Sequence, residues 1–259
     1  NWGMDDAMKR VSEEHLDIAI RLHKEQGFNM IRNWTGESTS EHFYSLCDKY
    51  GILVYNDFSM STQEYNIIPD DYDLMLSNIE DIIKRYRSHP SIAAWCPRNE
   101  GLAPVSMEKD IMRLIAKYDG TRHYIGTSRN INQYKSGPWG IREHSDNFTD
   151  ALVNGFSTEF GTISIPTSET LRKFIPESEL WPISDTWAYH DLHHGGWLSF
   201  EKIVSVLNNK YGKSDNSDDF CRKAQIFNYD AYRSMFEGFN SKMWDNTTGV
   251  LLWMSHPAW

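Results

Sequence analysis

Ile92-Ala93-Ala94-Trp95-Cys96-Pro97-Arg98-Asn99-Glu100-Gly101 runs from a short apolar segment straight into a polar tip. A strand buried on both faces reads as a continuous apolar run, and in parallel α/β folds the residues at its carboxyl end carry the chemistry. The reading that follows is a chain organised around Glu100.

The segments before this stretch repeat one unit. Ser12 with Glu13 and Glu14 makes a helix start, and Val11, Ile18, Ala19 and Leu22 form an apolar stripe that stops at Gly27. A strand over 28–34 follows, Ser40 is placed to cap a helix running to Tyr50, and Gly51 precedes a second strand at 52–57. Met75, Ile79, Ile82, Ile83 and Tyr86 recur at helical spacing, and His89-Pro90 ends that helix just before Ile92.

The pattern continues beyond Gly101. A helix around Met107, Ile111, Leu114 and Tyr118 leads through Asp119-Gly120 to a strand at 123–128. Further strands are expected at 139–142, 155–161 and 250–254, an irregular stretch at 176–198, and helices at 200–211 and 218–238. Strands alternating with helices imply a parallel sheet, and about seven of them imply an α/β fold of the (β/α)8 TIM-barrel type. Asn1-Trp2-Gly3 reads as the exit of a first strand, and no last outer helix follows Trp253. The expectation is one catalytic barrel domain over 1–259, truncated at the first strand and the last helix, from a longer multidomain protein.

Composition allows this. With 259 residues, 40% hydrophobic and 24% charged, the chain can bury one large core. A net charge of −10 with no basic stripe argues against nucleic acid or an anionic membrane surface as partner. No apolar run approaches the roughly 18 residues of a spanning helix, and no signal-peptide pattern opens the chain. Cys47, Cys96 and Cys221 are widely separated and point to neither a disulfide framework nor a zinc site.

Glu100 and Glu159 each follow an apolar strand, in Asn99-Glu100-Gly101 and Thr158-Glu159-Phe160-Gly161. Two carboxyls flanking one bond are what glycoside hydrolysis requires, about 5–5.5 Å apart where configuration is retained. Asn99 offers an amide to a sugar hydroxyl, and Arg32, at the end of an early strand, is suited to hold a carboxylate by charge pairing. His190, Asp191, His193 and His194 cluster in sequence without the spacing of familiar zinc sites, so no metal is expected.

Gly27-Phe28-Asn29-Met30-Ile31-Arg32-Asn33-Trp34, Phe43-Tyr44-Ser45-Leu46-Cys47-Asp48-Lys49-Tyr50-Gly51-Ile52-Leu53-Val54 and His89-Pro90-Ser91-Ile92-Ala93 resemble glycoside hydrolase family 2. Asn1-Trp2-Gly3-Met4-Asp5-Asp6, Arg98-Asn99-Glu100-Gly101, Trp181-Pro182-Ile183-Ser184-Asp185-Thr186-Trp187 and Leu252-Trp253-Met254 are similar to its β-mannosidase, endo-β-mannosidase and exo-β-glucosaminidase branch. The resemblance implies a barrel glycosidase that cleaves an oligosaccharide or glycan by double displacement. Glu100 after strand four would be the acid/base with a raised pKa, and Glu159 after strand seven the ionised nucleophile. No metal or organic cofactor is implied.

The same resemblance places Asp57 where relatives meet a substrate ammonium, and it brings β-sandwich domains and a periplasmic or secreted setting as expectations. Trp253, and after it Trp187, are the indoles expected to stack on a sugar ring. Many relatives carry a tyrosine ahead of the nucleophile; this region offers Trp139 and His144, with Tyr134 further back. Two rival readings are a catalytically silent carbohydrate-binding or scaffold fragment, and a metal-dependent hydrolase built on the histidine loop.

Overall fold

The computed structural model describes residues 2, 11–36, 40–60, 68–129, 137–150, 152–190 and 199–255. Local signals set where its first helices begin and end. Helix α1 (Glu13–Glu25) starts where the Ser12 hydroxyl accepts the N–H of His15 at 3.1 Å. Such a cap contributes about 1 kcal/mol. Helix α2 (Glu41–Tyr50) ends at Gly51, whose left-handed φ of 66° turns its N–H back toward Cys47 and Asp48. Helix α3 (Tyr72–Tyr86) is capped by the Asp71 carboxylate, which accepts the Leu74 N–H at 2.8 Å, and α4 (Val105–Tyr118) follows Pro104.

Between these helices lie four parallel strands in the order β1 (Met30–Asn33), β2 (Leu53–Met60), β3 (Ile92–Arg98) and β4 (His123–Tyr124). Trp2 pairs in parallel beside β1, donating to the Arg32 carbonyl and accepting from the Trp34 N–H, both at 2.8 Å. Strand 28–34 is shorter than expected because Trp34 already opens a 3-10 turn, Trp34–Gly36. The strand expected at 123–128 narrows to two ladder residues, although Ile125 and Ser128 still donate to the Trp95 and Arg98 carbonyls.

The chain divides into two units: Asn1–Ser136 with Phe156–Glu159 and Val250–Trp259, and Gly137–Gly155 with Phe160–Gly249. In the first, Ile20, Ile31, Phe43, Val54, Phe58, Ile79, Ile83, Trp95 and Ile111 form a buried layer between strands and helices. Trp95 stacks on Phe58 at 5.5 Å and donates its indole N–H to Asp119. On the opposite strand face, Tyr55, Ala94 and Cys96 make a separate small cluster. That split follows from the two-residue period of a strand, which sends neighbours to opposite faces.

Strand β5 (Gly155–Phe160) pairs with the last strand, β6 (Thr247–Leu252). Between them come α5 (Ser168–Leu171), α6 (Asp185–Tyr189), α7 (Phe200–Tyr211) and α8 (Ser217–Ser241). The second unit's core gathers Ile163, Leu171, Leu180, Trp187, Leu207, Phe220 and Phe227.

Two expectations are corrected here. The strand at 139–142 is a single parallel bridge from Trp139 to Gly161, because Pro138 has no N–H to give and Gly140 turns away at φ 93°. The stretch 176–198 is not wholly irregular, since it carries the turn Glu177–Glu179 and α6. The alternation of parallel strand and helix is that of the α/β (β/α)8 class. No helix among the described residues is long and apolar enough to cross a membrane.

Candidate active site

Arg32 is the next-to-last residue of β1, fully buried, opposite Tyr55 in the β1–β2 register. An isolated buried guanidinium would be strongly penalised, so its partners determine whether the site can exist. Its Nε donates to Asp57 Oδ1 and Oδ2 at 3.2 and 3.0 Å, and Nη2 donates to Asp57 Oδ2 at 2.6 Å. Nη2 also donates to Asn99 Oδ1 at 2.6 Å, while Nη1 donates to Glu159 Oε1 at 2.5 Å. The guanidinium lies 5.7 Å from the centre of the Tyr55 ring. Burial opposes the charge of Arg32, but Asp57 and Glu159 outweigh it and raise its pKa.

Strand β3 delivers the next residues. Asn99 Oδ1 accepts from the Ser128 hydroxyl at 3.2 Å as well as from Arg32. Glu100 sits on the tip itself, half-buried and in a left-handed conformation at φ 52°. A non-glycine residue takes that conformation rarely, and such strain gathers at functional positions. Here the turn is tied down because the Glu100 N–H donates to the Ser128 hydroxyl at 2.8 Å and the Gly101 N–H to the Asn99 carbonyl at 2.6 Å. Strand β5 supplies Glu159, only 4% exposed, and beside it the Thr158 hydroxyl donates to the Ser128 carbonyl at 2.6 Å.

Arg32, Asp57, Asn99, Glu100 and Glu159 all belong to the first unit, and the structure brings them together. Burial pushes the Glu159 carboxyl up to about 7; Arg32 pulls it down, and the charges of Glu100 and Asp57 add to the rise. Burial and the neighbouring carboxylates thus oppose the ionised form of Glu159, and the Arg32 guanidinium favours it. Asp57 is likewise raised by burial against the pull of Arg32. One guanidinium facing two buried carboxylates leaves an excess negative charge, and binding a proton removes it.

The predicted indoles separate. Trp253, in the first unit, meets Trp34 edge to face at 5.0 Å and is half-buried. Trp187 is a correction: it is 4% exposed in the core of the second unit, packed on Phe200 and Phe220, and its indole N–H donates to the Leu180 carbonyl at 3.1 Å. It has no open face for a sugar.

Asp57 is also placed differently from expectation, with no exposed surface and its oxygens turned to Arg32 and the Thr35 N–H. Trp139 and His144 lie in the second unit, and Tyr134 falls outside the described residues. His190 packs on Phe174, whereas Asp191, His193 and His194 fall outside the described residues. Among the described residues no group of three His, Cys, Asp or Glu side chains is placed to hold a metal ion.

Sequence reasoning missed Ser128, Thr158 and Thr35. Ser128 carried a signal, because it closes the predicted 123–128 strand and so sits level with Asn99, which directly follows β3. The backbone contact of Thr35 had none.

A family model described as glycosyl hydrolases family 2, TIM barrel domain, matches residues 5–180. A mannosylglycoprotein endo-beta-mannosidase of Lilium longiflorum is 30% identical, with 100% of this chain and 33% of that protein aligned. An exo-beta-D-glucosaminidase of Streptomyces avermitilis is 23% identical over 100% of this chain and 31% of its own length. Among solved structures, a beta-D-mannosidase from Dictyoglomus thermophilum matches with a TM-score of 0.86 at 26% identity, covering 100% of this chain and 35% of that one. The chain thus spans about a third of the length of these relatives.

Proposed function

The chain belongs to glycosyl hydrolase family 2, and on that premise we propose that it is the catalytic barrel domain of a retaining β-glycoside hydrolase acting on β-mannosides or β-glucosaminides. The observation that carries this reading is the Arg32 hub, which joins Glu159 and Asn99 through one guanidinium while Ser128 joins Asn99 to Glu100. The names of the relatives support the two substrate classes.

In this reading Glu159, once ionised, attacks the anomeric carbon and forms a glycosyl ester, while Glu100 gives its proton to the departing oxygen. Ester formation neutralises Glu159. With that charge gone, Glu100 takes a proton from water, the water oxygen attacks the anomeric carbon, and the Glu159 carboxylate leaves with configuration retained. Arg32 steadies Glu159 whenever it is charged, and Asn99 offers its amide to the sugar. The reading also expects β-sandwich domains in the longer protein and a periplasmic or secreted setting, and the greater length of the relatives supports the former.

The test is Glu159→Gln and Glu100→Ala on aryl β-mannosides and aryl β-glucosaminides. Glu159→Gln abolishes turnover. Glu100→Ala spares substrates with activated leaving groups and is rescued by azide, because the lost acid is not needed there and the anion replaces the water that Glu100 would activate. Wild-type rates in either variant would overturn the assignment.

A further inference from the structure

The turn Trp34–Gly36 holds a conformation that its sequence does not favour. Thr35 is β-branched yet sits at φ 49° and ψ 20°, a genuine outlier for that residue type. Its N–H donates to Asp57 Oδ2 at 3.0 Å. Gly36, at φ 67°, lies so near the same residue that a Cβ there would come within 2.8 Å of the Asp57 carbonyl oxygen. Thr35, Gly36 and Asp57 are all buried.

The turn therefore meets Asp57 twice, by a hydrogen bond to its carboxylate and by the close approach of Gly36 to its backbone, while Nε and Nη2 of Arg32 grip the same carboxylate. A sugar would find no exposed oxygen on Asp57. Strain of this kind persists where the surroundings over-determine it, and here they do so around Asp57.

We propose that Asp57 is a positioning residue, clamped by the Trp34–Gly36 turn so that its carboxylate aims Arg32 at Glu159 and shares the guanidinium's charge with it. The inference rests on reading Glu159 as the nucleophile. The groups that meet in this cluster are Arg32 from β1, Tyr55 and Asp57 from β2, Cys96 from β3, Glu100 after β3 and Glu159 from β5. Burial raises Tyr55 and Cys96, which keeps both neutral near pH 7. Charge balance therefore falls to Arg32 and the three carboxyls. Removing the negative charge of Asp57 leaves Arg32 to Glu159, so Glu159 loses its proton more easily.

The experiment compares the pH dependence of kcat/KM for wild type and Asp57→Asn on p-nitrophenyl β-D-mannoside and p-nitrophenyl β-D-glucosaminide. The expected result is an acidic limb displaced downward by about one pH unit, with KM within about threefold of wild type. A limb that stays in place overturns the inference, and a KM raised tenfold or more with it assigns Asp57 to substrate contact instead. An inactive wild type overturns the function reading and this inference with it, so the two failures are distinguishable.

Should Asp57→Asn not fold, Gly36→Ala keeps every charge and displaces the Asp57 peptide. There kcat falls about tenfold or more with KM nearly constant, since a small misplacement of catalytic groups is costly. Wild-type kcat in a folded Gly36→Ala variant overturns the inference.

Discussion

Glu159→Gln has a consequence for stability as well as for turnover. In the folded protein burial pushes the Glu159 carboxyl up to about 7 from its ordinary value of 4.5. At about 1.4 kcal/mol per unit, that difference corresponds to about 3 kcal/mol of pH-dependent stability. A raised carboxyl binds its proton more tightly folded than unfolded. The stabilisation is therefore complete below about 4.5 and is lost as pH rises through about 7.

Glutamine keeps the shape of the protonated acid and does not titrate. In urea unfolding followed across pH 4.5 to 8, the stability of Glu159→Gln relative to wild type should climb by about 3 kcal/mol, with the other titrating groups common to both proteins. A difference that stays flat would show that burial does not set the protonation of Glu159. A difference of opposite slope would mean that Arg32 prevails over burial and the carboxyl is ionised throughout. With Glu159 in the proposed role of nucleophile, the same titration should put the acidic limb of kcat/KM near 7.

Trp187 and Trp253 should respond differently to truncation. Trp187→Ala empties a core site and should cost about 3–5 kcal/mol in unfolding, with KM unchanged if the remaining fold is intact. Trp253→Ala should instead raise KM about tenfold, the loss of one aromatic stacking contact, with a smaller effect on unfolding. Steady-state kinetics and thermal melts on the same samples separate the two.

Much of this was written locally. Ser12, Asp71 and Gly51 set helix ends through single hydrogen bonds or one left-handed residue, and such short-range rules can be read along a chain. The meeting of Glu100, Glu159, Arg32 and Asn99 was legible because each ends an apolar strand, and parallel strands present their carboxyl ends together.

What stayed hidden depends on closure in three dimensions. Asp57 shares the strand-end signature of a binding residue, yet its burial follows from Arg32 and from the close approach of Gly36. Trp187 sits in a motif resembling a sugar-facing loop, but Phe200 and Phe220 arrive from helices that its own sequence does not announce. The upward push on the Glu159 carboxyl has a related origin. Sequence can pair a charge with an arginine, whereas desolvation and a second carboxylate on the same arginine appear only in the assembled site.

The account stands most directly on Glu159 as the residue that bonds to sugar. Incubation with a 2-deoxy-2-fluoro-β-mannosyl fluoride, whose electron-withdrawing substituent slows release more than it prevents attack, should trap the glycosyl enzyme. Proteolysis and mass spectrometry should then find the label on the peptide carrying Glu159, and none in Glu159→Gln. A label on Glu100, or turnover by an enzyme that never accumulates a covalent adduct and inverts the anomeric centre, would contradict it.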